Sequence, residues 1–585
     1  MANDIYDPLD EYVKTFRPKF EKVVRDTFAQ LAQEAQVDVK ANQETCSRLY
    51  DTEEELETIK KSYWWTRFFC TLLWIAVVIS GLVLYENQKT IDDATFYIIV
   101  MAMVAALLCL LIKIHPQMRR LNNERDELEQ STYDIEQEAW RQMAPLNRLY
   151  DWDMLARMIT ATVPKIAFDP YFTSQRLADL KERYGWDDDF NEERSVIYAN
   201  TGLINGNPFV LCRTRKMEMG TKTYYGSKAI YWTTYETDSD GKEHAVEHSE
   251  TLTASVTAPY PEYYERTRLF YGNTAAPDLT FYRESSGLAN REGSLSYKWQ
   301  KFKLKRKARD LDNSDYAMMT NEAFEVAFNT SDRNSNQQFA LLFTPLAQEN
   351  MLKLLKDKWT AYGDDFDFIK DHMINTIVAE HIQSVNLDMN PRQFDDYDYA
   401  RAEKDFYSMN ANFFRAIYFT FAPLLCVPMY QQIRPKEDIY GREMKQESCF
   451  WEHEALANHW GQQHFQDPSC VTDCILKTEE GPTVDGVKQI TVYAHGHYSE
   501  ERVSYISKLG GDGDWHDVPV YWDEYLPVTG EGTLRLTEDN EADDPAATPQ
   551  QRINRINKVL SDTHMKRYRK HIASRLQRQS SVSVV

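Results

Sequence analysis

"WIAVVISGLVLYENQKTIDDATFYIIVMAMVAALLCLLIKI", Trp74 to Ile114, holds two apolar runs joined by a short polar gap. The first run, Phe68 to Tyr85, is 18 residues without a charge, and the second, Ala94 to Ile112, is 19. At 1.5 Å per residue each reaches about 27–29 Å, close to the hydrocarbon thickness of a bilayer. Trp64, Trp65 and Tyr85 sit at the edges, where interfacial aromatics are found. Such long uncharged runs are rare in soluble helices, so the pattern predicts a two-helix transmembrane hairpin over residues 64–114 rather than a buried helical hairpin.

Charge sets the expected orientation. The gap, Glu86 to Asp93, has three acids and one lysine. The outer flanks carry Lys60, Lys61 and Arg67 on one side, and Lys113, Arg119, Arg120 and Arg125 on the other. By the positive-inside rule both flanks, and with them the N- and C-termini, are expected in the cytoplasm, with two spans in the cell membrane.

Working outward, Pro116 suits a first helical turn. Met118, Leu121, Leu128, Thr132, Ile135, Ala139, Leu146 and Leu149 then recur at heptad spacing, interrupted by Arg125 and Gln142. Before the first span, Leu49, Leu56, Ile59 and Tyr63 form a shorter stripe. A membrane hairpin places these two helices side by side and antiparallel, as a coiled-coil stalk over 115–160 paired with helices in 1–63. Pro145 is expected to kink or end the regular part. Homo-oligomerisation through the same seam is the alternative to intramolecular pairing. Residues 8–36 read as amphipathic helix, with Tyr12, Phe16, Phe20, Val23, Phe28 and Leu31 on one face.

From about Glu193 the periodicity changes to strands. "SVIYANTGLINGNPFVLCRTR" places Asn205-Gly206 between two apolar runs, a hairpin signal, and Asp240-Gly241 marks a second turn. Residues 193–285 therefore read as an antiparallel meander, 286–440 as a mixed segment and 441–536 as β-rich, together one α+β cytoplasmic domain over 161–536. In the mixed part, Phe324, Val326 and Phe328 alternate as in a strand, and Thr344-Pro345 opens a helix. "FFRAIYFTFAPLLCVPMY", Phe413 to Tyr430, is apolar. Only 15 residues follow Arg415, and Pro423 and Pro428 interrupt them, so a buried core strand or interfacial segment is favoured over a third span. An acidic linker, 537–550, leads to a basic helix and loose tail, 551–585. The fold class expected is a membrane-anchored α+β protein: a transmembrane helical hairpin, a coiled-coil stalk and an antiparallel β-rich soluble domain.

Phe324, Phe328, Asp332, Leu341, Leu342, Thr344, Pro345, Leu352 and Leu355, following a two-span hairpin with flanking coils, resemble a pattern in a family of uncharacterised bacterial membrane proteins. "GGDGDWHDVPVYWDEYLPV", Gly510 to Val528, is similar to text from larger members. The resemblance implies an architecture and no reaction.

The 585 residues carry a net charge of −23, which disfavours nucleic acid as a partner, because such a surface must neutralise phosphates. The eight cysteines are too sparse for a disulfide framework and read as reduced thiols. "HEALANH", His453 to His459, spaces its histidines six apart, whereas a zinc metalloprotease helix needs four. Cys470, Cys474 and His464 are the candidate metal ligands. No second tight pair completes the C-x3-C, so free thiols are favoured and no cofactor is expected. "GGDGDWHD" lacks the Lys-Ser/Thr of a phosphate loop and reads as a tight hairpin turn, with Asp512, Asp514 and His516 as the residues a cation would meet.

Two positive islands stand out on the acidic chain. One is "KFKLKRKAR", Lys301 to Arg309; the other comprises Arg552, Arg555, Lys558, Lys566, Arg567, Arg569, Lys570, Arg575 and Arg578. Beside a bilayer, such cations meet anionic lipid headgroups; the alternative is a solvated face. With no catalytic motif, the reading is a membrane-anchored cytoplasmic scaffold with an unidentified protein partner. The alternatives are a metal-dependent enzyme or regulator using residues 449–474, and a subunit of an oligomeric membrane pore or transport assembly.

Overall fold

The computed structural model describes residues 5–86, 93–151, 154–169, 171–187, 189–237, 242–310, 316–388, 390–435, 447–484, 487–538 and 580–584. The chain is α+β and divides into two compact units. One comprises Arg25–Asp151 and Pro391–Ser408; the other comprises Met1–Val24, Trp152–Asn390 and Met409–Val585.

The first unit is built on two very long helices. Val39–Glu86 is one uninterrupted helix of 48 residues. Asp93–Cys109 continues through a π-helical turn, Leu110–Ile114, into His115–Asn147. Among the described residues, these two helical runs are long and apolar enough to cross a membrane. Their apolar side chains face outward: Ile79, Leu82, Met101 and Ile112 are all more than half exposed.

Outside the apolar runs the helices pair antiparallel. Asn42 meets Gln142 (3.2 Å), Arg48 meets Glu138 (3.2 Å) and Lys60 meets Glu129 (3.1 Å), so one number rises as the other falls. Leu49, Leu56, Ala139 and Leu146 are buried along the seam. The two polar residues that interrupt the heptads are themselves partnered. Arg125 lies over the Tyr63 ring (5.3 Å), and Gln142 donates to Thr45 Oγ1 (3.0 Å). Segment Pro391–Ser408 closes this unit. The Asn42 amide donates to Tyr397 O (2.9 Å) and accepts from Tyr399 N (2.9 Å), Asn147 donates to Asp396 O (3.0 Å), and Tyr150 stacks on Phe406.

The second unit contains a seven-stranded antiparallel sheet in the order β1-β2-β3-β4-β7-β6-β5. The strands are β1 (Ile166–Phe168), β2 (Arg194–Ile204), β3 (Asn207–Thr237), β4 (Glu243–Gly272), β5 (Thr280–Arg283), β6 (Phe366–Asp371) and β7 (Ile374–Ala379). A second sheet runs β11-β10-β9-β8, with β8 (Ile475–Val484), β9 (Val487–Leu509), β10 (Trp515–Glu538) and β11 (Ser580–Val584). The Asn205-Gly206 turn forms as expected; both residues take positive φ (51° and 80°), the conformation a tight hairpin demands. Asp240-Gly241 lies outside the described residues.

Helix Phe450–Trp460 packs between the sheets. Trp451 and Ala455 join a core with Val196, Val210 and Phe270. Leu456, Ala457 and Trp460 join a second core with Leu476, Val492 and Leu534. Buried Glu454 accepts from Val196 N (3.0 Å) and pairs with Lys477 (2.5 Å), while burial pushes its carboxyl up.

Four expectations are corrected. Phe413–Tyr430 is neither strand nor interfacial segment. It lies in helix Tyr399–Leu425 and short helix Pro428–Gln432, with Pro423 inside the first and Pro428 opening the second. Phe413 to Leu425 are almost wholly buried, and Phe414 stacks on Phe20 at 4.1 Å. Phe324, Val326 and Phe328 belong to helix Glu322–Phe328, capped by Asn321 and ended by Asn329 at φ 54°; Phe324 stacks on Phe328 four residues away. The helix expected over 115–160 stops at Asn147, two residues past Pro145, and Met154–Thr162 is a separate helix whose apolar residues are enclosed. Finally, Ser580–Val584 is not a loose tail but pairs antiparallel with β10, Ser580 opposite Glu538.

Candidate interaction surfaces

Strands β3 and β4 pair over 29 residue pairs, Phe209↔Tyr271 to Thr237↔Glu243. Their neighbours stop early, since β2 reaches only Lys216 and β7 only Leu269. Residues 217–237 of β3 therefore pair with β4 alone, a ribbon of roughly 70 Å. Beyond His495, β9 pairs only with β10, and Leu509↔Trp515 closes that hairpin around Gly510–Asp514. Gly513 supplies the positive φ (87°) of the turn, and the Asp512 carboxylate meets His516 Nε2 at 2.7 Å.

The two ribbons pack face to face. Strand alternation places Ile230, Leu252 and Ala254 against Val518 and Val520, with Trp232, Val256 and Ile506 at the margin. Lys228 Nζ donates to Asp517 O (3.2 Å), Gly511 N donates to Glu250 (2.7 Å), and the Tyr260 and Tyr525 rings meet edge-on. Gly226 permits the approach, because a Cβ there would overlap the Pro519 carbonyl oxygen. Gly226→Val is expected to part the ribbons. Amide hydrogen exchange near residues 224–232 and 516–522 should rise while the cores around Trp451 stay protected. Gly220→Ala, whose neighbour is the movable Glu262 side chain, should leave both unchanged.

The same alternation turns the opposite faces outward. Tyr225, Tyr231 and Tyr235 line one face of β3, opposite Ser255, Ser249 and Ala245 of β4. Their rings are 79%, 79% and 73% exposed. On the other ribbon the outward cross-strand pairs are Val503/Tyr521, Tyr505/Pro519 and Leu509/Trp515. This is an aromatic surface on a two-layer support, with hydroxyl groups interspersed, the composition that favours protein contact.

The metal-candidate residues are only partly brought together. Cys470 and Cys474 place their sulfurs 3.6 Å apart, Cys470 partly exposed and Cys474 buried, and burial pushes the Cys474 thiol up to about 12. Gly496 makes room for both sulfurs. His464 is exposed and sits edge-on to Trp460 and Phe465. Among the described residues, no group of three or more His, Cys, Asp or Glu is placed to hold a metal ion.

Two histidines with buried side chains have relay-like partners: His381, which no sequence pattern marked, and His453, the first histidine of HEALANH. His381 Nδ1 meets Asp365 at 2.5 Å, and its Nε2 meets Thr420 Oγ1 at 3.1 Å. Tyr362 stacks flat on this ring at 3.9 Å, Arg415 covers Tyr362, and the Thr420 hydroxyl donates to Ala416 O within its own helix. The second, His453, is fully enclosed, with Nε2 against the Ser448 hydroxyl at 2.8 Å. Burial pushes it down to about 3, toward the neutral ring, while Nδ1 lies 3.4 Å from the Glu480 carboxylate. Both arrangements tie elements together inside the fold.

The first positive island lies on helix Leu295–Lys307, capped by Ser294. Lys301 and Lys305 both pair with Glu322. The second island, Arg552 to Arg578, lies outside the described residues. At the edge of the first apolar run, Trp64, Trp65 and Phe68 form an exposed aromatic cluster, with Trp64 stacked on Phe68. Comparison with protein-family models, curated proteins and solved structures returns no match.

Proposed function

We propose that this chain is a membrane-anchored scaffold, non-enzymatic, that presents its paired β-ribbons to a protein partner on the cytoplasmic side. The observation that carries the reading is the outward apolar surface of the two long helices. Ile75, Val78, Ile79 and Leu82 on one, and Ile98, Met101 and Ile112 on the other, are exposed side by side with no charged residue among them. In water such a surface is strongly unfavourable; in lipid it is the ordinary state of a spanning helix. The paired helices beyond the spans then act as a coiled-coil stalk, and the Trp64/Trp65 cluster marks the interface. The cations Arg552 to Arg578 supply headgroup contact.

The orientation is tested with protease sites inserted into the full-length protein. A site placed within 87–92 should be cut by protease added outside intact cells, and a site placed after residue 540 only after lysis. External cutting at both positions would place the ribbons on the wrong face for this reading.

A further inference from the structure

We infer that helix Leu295–Lys307 is a second, peripheral membrane contact, which seats Leu295, Trp299 and Phe302 among the lipids of a bilayer bearing anionic headgroups. This rests on the membrane-anchored reading and names a surface that reading does not require. One side of the helix faces the protein: Leu304 is buried in a cluster with Leu288, Tyr316 and Val326, and Tyr297 packs at its margin. The other side faces solvent. Leu295, Phe302 and Trp299 are 86%, 65% and 62% exposed. At 100° per residue they fall within about 60° of arc.

The charges sort the same way. Lys301 and Lys305 turn toward Glu322, and Lys307 donates to Ser331 O (2.5 Å), so those cations are held by the fold. Lys298 and Lys303 flank the apolar strip, and Arg306 lies near its far end, all three exposed. Residues 295–309 contain no acid, in a chain of net charge −23. Beside the strip lies a shallow, open depression lined in part by Arg291, Leu295, Lys298 and Trp299. Apolar side chains on a convex helix, ringed by cations, match an interfacial helix. A phosphate alone leaves the Trp, Phe and Leu surface in water. A lipid satisfies both parts, with the phosphate at Lys298 and Arg291 and the acyl boundary at Trp299 and Phe302.

The test uses full-length protein reconstituted into vesicles of phosphatidylcholine, with or without phosphatidylglycerol. A benzophenone amino acid replaces Phe302 in one preparation and Val78, in the first apolar run, in another. The residue-302 probe should crosslink to lipid in the anionic vesicles, several-fold less in neutral ones, and about tenfold less when Lys298, Lys303 and Arg306 are changed to Glu. The residue-78 probe should crosslink to lipid in every case. Lipid adducts at 78 with none at 302, adducts at 302 that ignore lipid charge, or adducts at 302 to protein alone would each overturn this inference and leave the anchor standing. Absence of lipid adducts at 78 would overturn the anchor itself.

Discussion

Trp451→Ala is expected to cost the second unit about 3–5 kcal/mol, the usual range when a large buried aromatic is cut back to a methyl. The indole is fully buried and touches Phe172, Trp186 and Phe190, with ring centroids 5.3–5.9 Å away. It also sits on the helix whose later residues, Leu456, Ala457 and Trp460, join the second core, so the cavity opens at one end of the element that links the two. A loss of that size is a large part of the 5–15 kcal/mol that stabilises a typical domain. Urea unfolding followed by circular dichroism should show a much earlier midpoint. Trp515→Ala is the control. Trp515 is 71% exposed at the ribbon end, and its removal should change the unfolding free energy by less than about 0.5 kcal/mol. Similar shifts for the two variants would mean that Trp451 is not the centre of the core.

The second large effect follows from His453. Its ordinary pKa of 6.5 is pushed down to about 3, first by burial and then by Lys488. Between those values the unfolded chain holds the extra proton and the folded chain does not. Stability from this site is therefore fully present above about pH 6.5, falls as pH drops through the window, and levels below about pH 3. The Glu480 carboxylate, 3.4 Å from Nδ1, favours the charged ring and works against this loss, so about 4–5 kcal/mol over the whole window is its upper bound. Other groups titrate there too, so the difference between wild type and His453→Gln isolates this site. The variant removes the ionisable ring and should show an acid limb shallower by one proton. Equal slopes in wild type and variant would show that His453 is protonated, or exposed, in the folded state.

The two apolar helices and their antiparallel extensions are legible because each depends on a long, regular pattern. Leu49, Leu56, Ala139 and Leu146 were readable as a seam, and burial follows. What closes that unit was not readable: Asn42 and Asn147 bind residues 396–399, some 250–350 positions away, and nothing local marks such a pairing. The short helix Glu322–Phe328 misled for a different reason. Phe-x-Val-x-Phe fits period two and also i, i+4, and the decisive features were the Asn321 cap and the left-handed Asn329. The Asn205-Gly206 hairpin carried its own signal, but the span of β3–β4 did not. Within that span Gly226 serves a close approach of two backbones, and no local pattern announces it. The outward aromatics of the ribbons could be read as alternation, yet which face was buried depended on β10, nearly 300 residues on.

Membrane anchoring is tested most directly by sedimentation of the full-length protein from lysed cells. The account predicts that it pellets with membranes, resists alkaline carbonate and high salt, and enters the supernatant only with detergent. Recovery of the intact chain in the aqueous supernatant without detergent would contradict it.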